Sequence, residues 1–132
     1  MEKKELMESK KCFCDTGLLF ENCCKLYLSS QQKAPSALAL MRSRYSAYAT
    51  HNADYLLETT YRSERKYYSK AEILKWAVSN KWQKLEILSS AENTVEFRAH
   101  FLDYNNQPQI HYEFSTFKFE NGAWFYLDGK FE

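Results

Sequence analysis

The sequence predicts an α+β domain in which N-terminal helices pack on a curved antiparallel sheet, preceded by a small metal-binding module. Three features predict this. Four cysteines cluster near the N-terminus, apolar residues follow at helical spacing, and apolar residues alternate in the C-terminal half. Helices that precede a run of strands are typical of the α+β class. A chain of 132 residues has room for one such domain and an appended module.

The cysteines carry the strongest functional signal. They are Cys12, Cys14, Cys23 and Cys24, in the pattern C-x-C-x8-C-C, and the chain has no others. Sulfurs around tetrahedral zinc lie about 3.7 Å apart and neighbouring Cα atoms about 3.8 Å, so adjacent cysteines can share one ion. A disulfide within either pair would be strained, because relaxed bridges separate the Cα atoms by about 5.5 Å. We therefore predict one structural zinc ion held by four thiolates.

The cellular compartment bears on this prediction, because disulfides between the two pairs remain geometrically possible. Residues 1–11 are rich in charge and contain no apolar segment of a secretion signal, and no apolar run approaches the roughly 18 residues that span a bilayer. We therefore expect a cytoplasmic protein, where clustered cysteines are more often metal ligands or redox groups than bridges. Iron as the ion, free thiols and a thiol redox sensor are the alternatives.

The overall charge gives no sign of a nucleic-acid or membrane partner. The formal net charge is +1. The abundant aromatic residues follow core periodicity instead of alternating with a basic patch, so we expect neither partner.

The residues between the two cysteine pairs predict a compact knuckle. Gly17 permits a tight turn, and the apolar run 18–20 offers a small cap. Units shorter than roughly 40 residues rarely fold without a disulfide or a bound metal, so the ion should supply most of the order of the knuckle. We predict a knuckle over residues 1–30 and a domain over 31–132. A chelator is then expected to disorder the knuckle while the domain stays folded.

Helical spacing begins at Ser36. The apolar stripe of this first helix consists of Leu38, Met41, Tyr45 and Tyr48. Arg42 and Arg44 leave the stripe at opposite edges, because two helical positions differ by about 200°, and are not expected to clamp one anion together. A second short helix is predicted over residues 54–58.

A capping box at Ser69 and Glu72 opens the third predicted helix, which Asn80 is expected to end. The apolar positions of this helix are Ile73, Leu74, Trp76 and Ala77. The period then changes to two, and strands are predicted over residues 82–90, 94–104, 109–120 and 123–128. The clearest inward-facing set is Val95, Phe97, Ala99 and Phe101. Hairpin turns are predicted at 105–106 and 121–122, where asparagine and glycine tolerate positive φ.

The third strand breaks the alternation. Its apolar phase passes from Ile110, Tyr112 and Phe114 to Phe117 and Phe119. We predict a bulge near residues 115–116, which would bend the sheet.

The cysteine segment resembles the SEC-C zinc motif. It reads Cys12-Phe13-Cys14-Asp15-Thr16-Gly17 and closes with Cys23-Cys24. The usual motif has proline where this chain has Phe13 and glycine where it has Asp15. These departures can loosen the turn but leave all four ligand positions occupied.

Most of the remaining chain resembles the YchJ-like family of uncharacterised SEC-C proteins, which is bacterial. The similar segments are residues 40–48, 53–56, 95–99, 113–117 and 122–129. The resemblance implies a nuclear-transport-factor-2-like (NTF2-like) α+β cone with a zinc knuckle before it, and it implies no activity. Members of that fold include both enzymes and binding domains.

Two functional hypotheses follow. The first is a non-enzymatic adaptor, because four protein ligands leave no position at the ion for water or substrate. Its knuckle would bind a protein or ribosomal partner.

The second hypothesis is small-molecule binding or catalysis in a pocket of the cone. The candidate pocket residues are Arg44, Asp54, Tyr55, Arg98, Glu113 and Asp128, with His100 and His111 expected to be exposed strand residues. Burial is expected to raise the pKa of Glu113, an acid in an apolar strand. An ion pair of Glu113 with an arginine, or a solvated carboxylate, is the alternative, and no catalytic residue is assigned.

Overall fold

The computed structural model describes residues 10–131. Residues 1–9 lie outside the described part, and with them most of the segment that predicted the absence of a secretion signal. Within residues 10–131, none of the helices has the length and apolar character needed to cross a membrane.

Four α-helices precede the sheet in the described part of the chain. They are α1 (Cys24–Leu28), α2 (Ala37–Ala49), α3 (Ala53–Glu58) and α4 (Lys70–Ser79), with short 3-10 turns at Phe20–Asn22 and Arg62–Tyr67. Each of the last three begins at a side-chain cap that satisfies a free amide of the first turn. The capping residues are Ser36, Asn52 and Ser69. Asn80 follows the end of α4, as predicted.

The sheet is an antiparallel meander in the order β1-β2-β3-β4, which confirms the predicted α+β class. Its strands are β1 (Lys81–Ser90), β2 (Thr94–Leu102), β3 (Pro108–Glu120) and β4 (Ala123–Phe131). Positive φ angles at Asn106, Asn121 and Gly122, of 59°, 51° and 81°, confirm the two predicted hairpin turns.

The inner face of β3 differs from the one that its apolar residues suggest. Ile110 is 59% exposed and Phe114 is 36% exposed, whereas Glu113, Ser115 and Phe117 are buried. The inward-facing set is therefore odd-numbered along this part of the strand, and the pairing with β2 runs without interruption. The polar residues face inward because they form one hydrogen-bonded network inside the domain.

The predicted irregularity is present, but its extra residue lies on the neighbouring strand. The register shift falls between Thr116 and Phe117 of β3, whose partners on β4 are Asp128 and Tyr126. Leu127 is therefore the inserted residue, and the bulge bends the sheet at β4.

Helix α2 lies at the centre of the molecule. It contacts β1, β2 and β4 on one side and the other helices elsewhere. Of its predicted stripe, Met41 and Tyr45 are buried, but Leu38 and Tyr48 are only partly buried. The stripe was incomplete because α2 is covered on more than one face, by the sheet and also by the cysteine knuckle.

Helix α4 is the least buried of the long helices. Of its four predicted apolar positions, Ala77 is buried, Ile73 is partly buried, and Leu74 and Trp76 are exposed. The hydrophobic core is one cluster in which the four cysteines join residues of α2 and of the sheet. The knuckle and the domain thus share a core, and the predicted boundary at residue 30 stays a prediction.

Candidate metal centre and domain cavity

The four cysteine side chains converge on one point. Their sulfur atoms all lie within 4.8 Å of one another, and the sulfurs of Cys14 and Cys23 are 3.6 Å apart. All four are buried and none forms a disulfide. Four buried thiols at this spacing fit one tetrahedral ion of the thiolate-binding metals, zinc or iron.

Short backbone hydrogen bonds place the two cysteine pairs. The amide of Cys12 donates to the Leu18 carbonyl at 2.8 Å, and the amide of Cys23 donates to the Phe20 carbonyl at 3.1 Å. Gly17 turns the chain between them at φ +87°. The knuckle is therefore a closed loop that brings Cys12 beside Cys23 although eleven positions separate them in sequence.

Hydrogen bonding and burial shift the pKa values of the Cys12 and Cys23 thiols in opposite directions. Hydrogen bonds with Cys14 and Cys24 lower the pKa of the Cys12 thiol, whereas burial raises the pKa of the Cys23 thiol to about 11. Four thiolates do not coexist at neutral pH without a compensating cation, and metal ligands must be deprotonated. The donor set therefore fits a bound divalent ion.

The knuckle is fastened to α2 by polar contacts. Arg42 donates from Nη1 to the carbonyl oxygen of Cys14 at 2.6 Å. The hydroxyl of Ser46 lies 3.5 Å from the sulfur of Cys12. Arg42 thus serves the knuckle while Arg44 faces the domain interior, which confirms that the two arginines leave α2 in different directions.

Asp15 makes a third link, from the knuckle to the sheet. Its Oδ2 accepts a hydrogen bond from the backbone amide of Leu85 on the edge strand β1 at 2.7 Å. Its φ of 64° is the left-handed conformation that the glycine of the usual motif adopts easily. The departure from the motif therefore adds an acceptor for an edge-strand amide.

Replacing Asp15 by alanine is expected to destabilise the protein by about 2 kcal/mol more than replacing it by asparagine. Asparagine tolerates positive φ and keeps an acceptor oxygen, whereas alanine strains the backbone and leaves the Leu85 amide without its partner. Urea denaturation of the metal-loaded variants measures the difference, with Asp15→Gly expected between them. Equal stabilities of the alanine and asparagine variants would show that the link contributes nothing.

A cavity of about 200 Å³ lies between the helices and the concave face of the sheet. Its polar residues are Arg44, Tyr48, Thr60, Tyr68, His111, Glu113 and Tyr126, and its apolar walls include Trp76, Phe97 and Phe131. A smaller cavity of about 70 Å³ shares Trp76, Phe97, His111 and Glu113 with it.

Glu113 has three hydrogen-bond partners at this cavity. Its Oε1 lies 3.0 Å from Nε2 of His111, and its Oε2 accepts from the hydroxyls of Ser115 and Tyr126. Burial raises the pKa of the carboxyl, but hydrogen bonds from His111, Ser115 and Tyr126 outweigh it, so the pKa of Glu113 is lowered. The predicted upward shift was therefore wrong. Within the described residues 10–131, the carboxylate of Glu113 is buried and has no arginine within ion-pair distance.

Gly129 makes room for this carboxylate. A Cβ atom on Gly129 would lie 2.1 Å from Oε2 of Glu113 and 2.6 Å from the hydroxyl of Tyr126. Glycine inside a strand weakens it and often marks close packing. Its presence here is explained by space, because a Cβ atom would overlap the carboxylate of Glu113.

Of the six predicted pocket residues, Arg44 and Glu113 line the cavity. Asp54 lies on the surface and pairs with Lys70 at 2.7 Å. Asp128 is exposed beside the bulge of β4.

The other two predicted pocket residues lie elsewhere. Arg98 faces outward, because it alternates with the buried Phe97 and Ala99, and pairs with Glu86 at 3.6 Å. Tyr55 borders a separate groove, and its hydroxyl lies 2.6 Å from that of Ser43.

Sequence reasoning missed part of the cavity. Tyr126 was overlooked as a lining residue and Ser115 as a hydrogen-bond partner of Glu113. His111, expected to be an exposed strand residue, lines the cavity with 38% of its side chain exposed. Ser115 and His111 stand two positions from Glu113, so strand alternation places all three on one face. Once Glu113 is taken as buried, its neighbours follow from this rule, whereas the approach of Tyr126 depends on the bulge.

The comparisons with known proteins agree with this architecture. The family model described as YchJ, middle NTF2-like domain, matches residues 36–129. A UPF0225 protein of Enterobacter sp. (strain 638) is 36% identical over 124 residues, which cover 89% of this chain and 81% of the relative. A UPF0225 protein of Geobacter sulfurreducens is 34% identical over 125 residues, which cover 89% of this chain and 77% of the relative.

Two solved structures are similar along nearly the whole chain. The solution structure of a SEC-C motif containing protein from Rhodopseudomonas palustris has a TM-score of 0.83 at 34% identity, covering 90% of this chain and 96% of its own. The crystal structure of a SEC-C motif containing protein from Psychrobacter arcticus has a TM-score of 0.79 at 28% identity, covering 93% and 83%.

The fold and the cysteine cluster define an NTF2-like α+β protein with an N-terminal four-cysteine knuckle. The chain belongs to the YchJ family, and its similarity to a UPF0225 member covers 89% of its length.

Proposed function

We propose that the four cysteines hold one structural zinc ion, and that the protein is a non-enzymatic adaptor of the bacterial cytoplasm whose knuckle binds a protein or ribosomal partner. The observation that supports it is the closed donor set, four buried sulfurs within 4.8 Å of one another. An ion bound by all four would hold the thiolates together and leave no position for substrate. Both solved relatives are described as SEC-C motif proteins, which agrees with a metal-binding knuckle.

The chain's own residues make the knuckle a rigid surface. Arg42 and Asp15 fix it to α2 and to β1. At its tip Leu18 is 54% exposed although its carbonyl is held by the amide of Cys12. A rigid backbone that presents an exposed leucine loses little entropy on binding, which favours a protein partner.

Elemental analysis of protein purified from cells under reducing conditions tests the ion. We expect one zinc per chain. Substoichiometric metal in well-reduced, folded protein contradicts the metal proposal, and one iron per chain corrects the identity of the ion.

Crosslinking in cells tests the adaptor. A photoreactive amino acid replaces Lys25 on the knuckle surface. It is introduced into the otherwise wild-type protein and into the Leu18→Ser and Val78→Ser variants. Val78 is 56% exposed on α4 and serves as the matched control. We expect a defined set of protein crosslinks that Leu18→Ser removes and Val78→Ser retains. Crosslinks that are absent, or that survive Leu18→Ser unchanged, contradict a partner bound at the knuckle tip.

A further inference from the structure

We propose that the domain cavity is a binding site for a small monocyclic carboxylic acid, with Arg44 as the partner of its carboxylate. This site is separate from the metal centre and does not depend on the adaptor role of the knuckle. Its size, its buried cation and its aromatic walls each restrict the ligand.

The volume selects a ligand of about one ring. The cavity holds about 200 Å³, with about 70 Å³ more in the adjoining space. An apolar cavity of about 150 Å³ is enough to bind benzene. A ring with one or two polar substituents therefore fits, whereas drug-sized ligands require roughly 300 Å³ or more.

Arg44 supplies a buried charge that is hydrogen-bonded to Leu56, Thr59 and Thr60 but has no carboxylate counter-ion among residues 10–131. Only 7% of the residue is exposed. Its Nη1 donates to the Leu56 carbonyl at 2.8 Å and to the Thr59 hydroxyl at 2.7 Å. Among residues 10–131, no carboxylate lies within ion-pair distance of the guanidinium.

Buried charges in proteins are normally paired, and a guanidinium matches the planar fork of a carboxylate. The other buried charge of the cavity, Glu113, already has three hydrogen-bond donors. It therefore does not compete for Arg44, whose side chain instead lies against the ring of Tyr126, 4.5 Å from its centroid. A ligand carboxylate would supply the missing counter-ion.

The aromatic walls of the cavity favour a ligand with a flat, apolar ring. Tyr48, Tyr68, Trp76, Phe97 and Phe131 surround the space with aromatic surface. Flat rings pack on such faces and edges, whereas an inorganic phosphate or sulfate would lose its hydration there without filling the space. The carboxylate of the ligand is therefore attached to an apolar, planar ring.

His111 supplies a second polar group at the cavity. Its Nε2 lies 3.0 Å from Oε1 of Glu113, and its ring lies between those of Phe97 and Phe131. The second ring nitrogen, Nδ1, can hydrogen-bond to a hydroxyl on the ligand ring, because a hydroxyl both donates and accepts. 4-Hydroxybenzoate carries a carboxylate and such a hydroxyl.

Binding of 4-hydroxybenzoate by the full chain tests the site, with 4-hydroxybenzyl alcohol as the uncharged analogue. Calorimetry is expected to show saturable binding of the acid, and at least about tenfold weaker binding of the alcohol. Arg44→Lys keeps the charge but loses the planar guanidinium. It and His111→Gln should each weaken the binding of the acid by about tenfold. Arg98→Gln, on the outer face, should leave it unchanged. Absence of saturable binding, or equal binding by all three variants, overturns the proposal.

Nuclear magnetic resonance of the wild-type protein decides the question even where Arg44→Lys disturbs folding. The ring signals of His111, which lines the cavity and the adjoining space, should move on titration with the acid. Those of His100, which lies 3.1 Å from Glu86 on the outer face of β2, should not. Shifts confined to His100, or shifts of equal size at both histidines, would place the probe elsewhere and overturn the proposal.

Discussion

Replacing Cys14 by serine is expected to abolish the proposed metal binding and to lower the free energy of unfolding of the whole protein by several kcal/mol, on the order of 4. Cys14 is fully buried, and its carbonyl accepts the hydrogen bond from Arg42. Three thiolates and a hydroxyl bind a soft ion far more weakly than four thiolates. The structural zinc of small knuckles contributes roughly 10–16 kcal/mol of apparent binding free energy, so its loss dominates other local effects.

The extent of the unfolding distinguishes two views of the knuckle. A self-contained unit would lose hydrogen-exchange protection only up to about residue 30, as the sequence alone predicted. The shared core predicts a wider loss that reaches α2, because Ser46 and Arg42 contact the knuckle directly. Metal content, urea denaturation and hydrogen exchange measure the three consequences.

Ser46→Ala is the matched control for the cysteine variant. It removes the hydroxyl 3.5 Å from the Cys12 sulfur without removing a ligand. We expect it to keep one metal ion per chain and to change stability by about 1 kcal/mol or less. A Cys14→Ser protein that keeps a full equivalent of metal, or that unfolds at the same urea concentration as the control, would refute a structural centre.

The features that the sequence predicted correctly are those fixed by local chemistry. Asn121 and Gly122 adopt positive φ because a tight hairpin requires it, and such residues mark the turn wherever they occur. The alternation of β2 is equally local, since every second residue faces the core. The convergence of the cysteines followed from their clustering in the sequence.

The features that it missed depend on contacts between distant residues. The inner face of β3 carries Glu113 and Ser115 because they hydrogen-bond to each other and because Tyr126, on the neighbouring strand, donates to Glu113. An apolarity rule places such residues outside, and it places the exposed Ile110 inside. Asp15 is a similar case, because the amide that it accepts belongs to Leu85, 70 positions away.

The cavity shows the same division. Glu113 was identified because an acid in an apolar strand is unusual, whereas Arg44 was named only as one of several polar candidates. The direction of the pKa shift of Glu113 was not predicted correctly, because burial alone raises the pKa of a carboxyl. The hydrogen bonds that lower it depend on the inward orientation of this part of β3 and on Tyr126 of β4.

Gly129→Ala is expected to destabilise the protein by about 3 kcal/mol or more, a large effect for one added methyl group. The new Cβ would lie 2.1 Å from Oε2 of Glu113, which is far inside contact distance. The carboxylate must then move away from the hydroxyls of Ser115 and Tyr126, so a buried charge loses hydrogen bonds as the packing is disturbed. Urea denaturation measures the loss, and Lys130→Ala, at the exposed neighbouring position, is the control.

A double-mutant cycle assigns this loss to the clash. In the Glu113→Ala background the obstructing carboxylate is gone, so Gly129→Ala should cost less there than in the wild-type protein, by about 1–3 kcal/mol. That coupling would show that Gly129 is present because of Glu113, and that the cavity network, not the backbone conformation of β4, requires glycine. Additive effects, within about 0.5 kcal/mol, would instead place the cost in the strand itself and contradict the steric account.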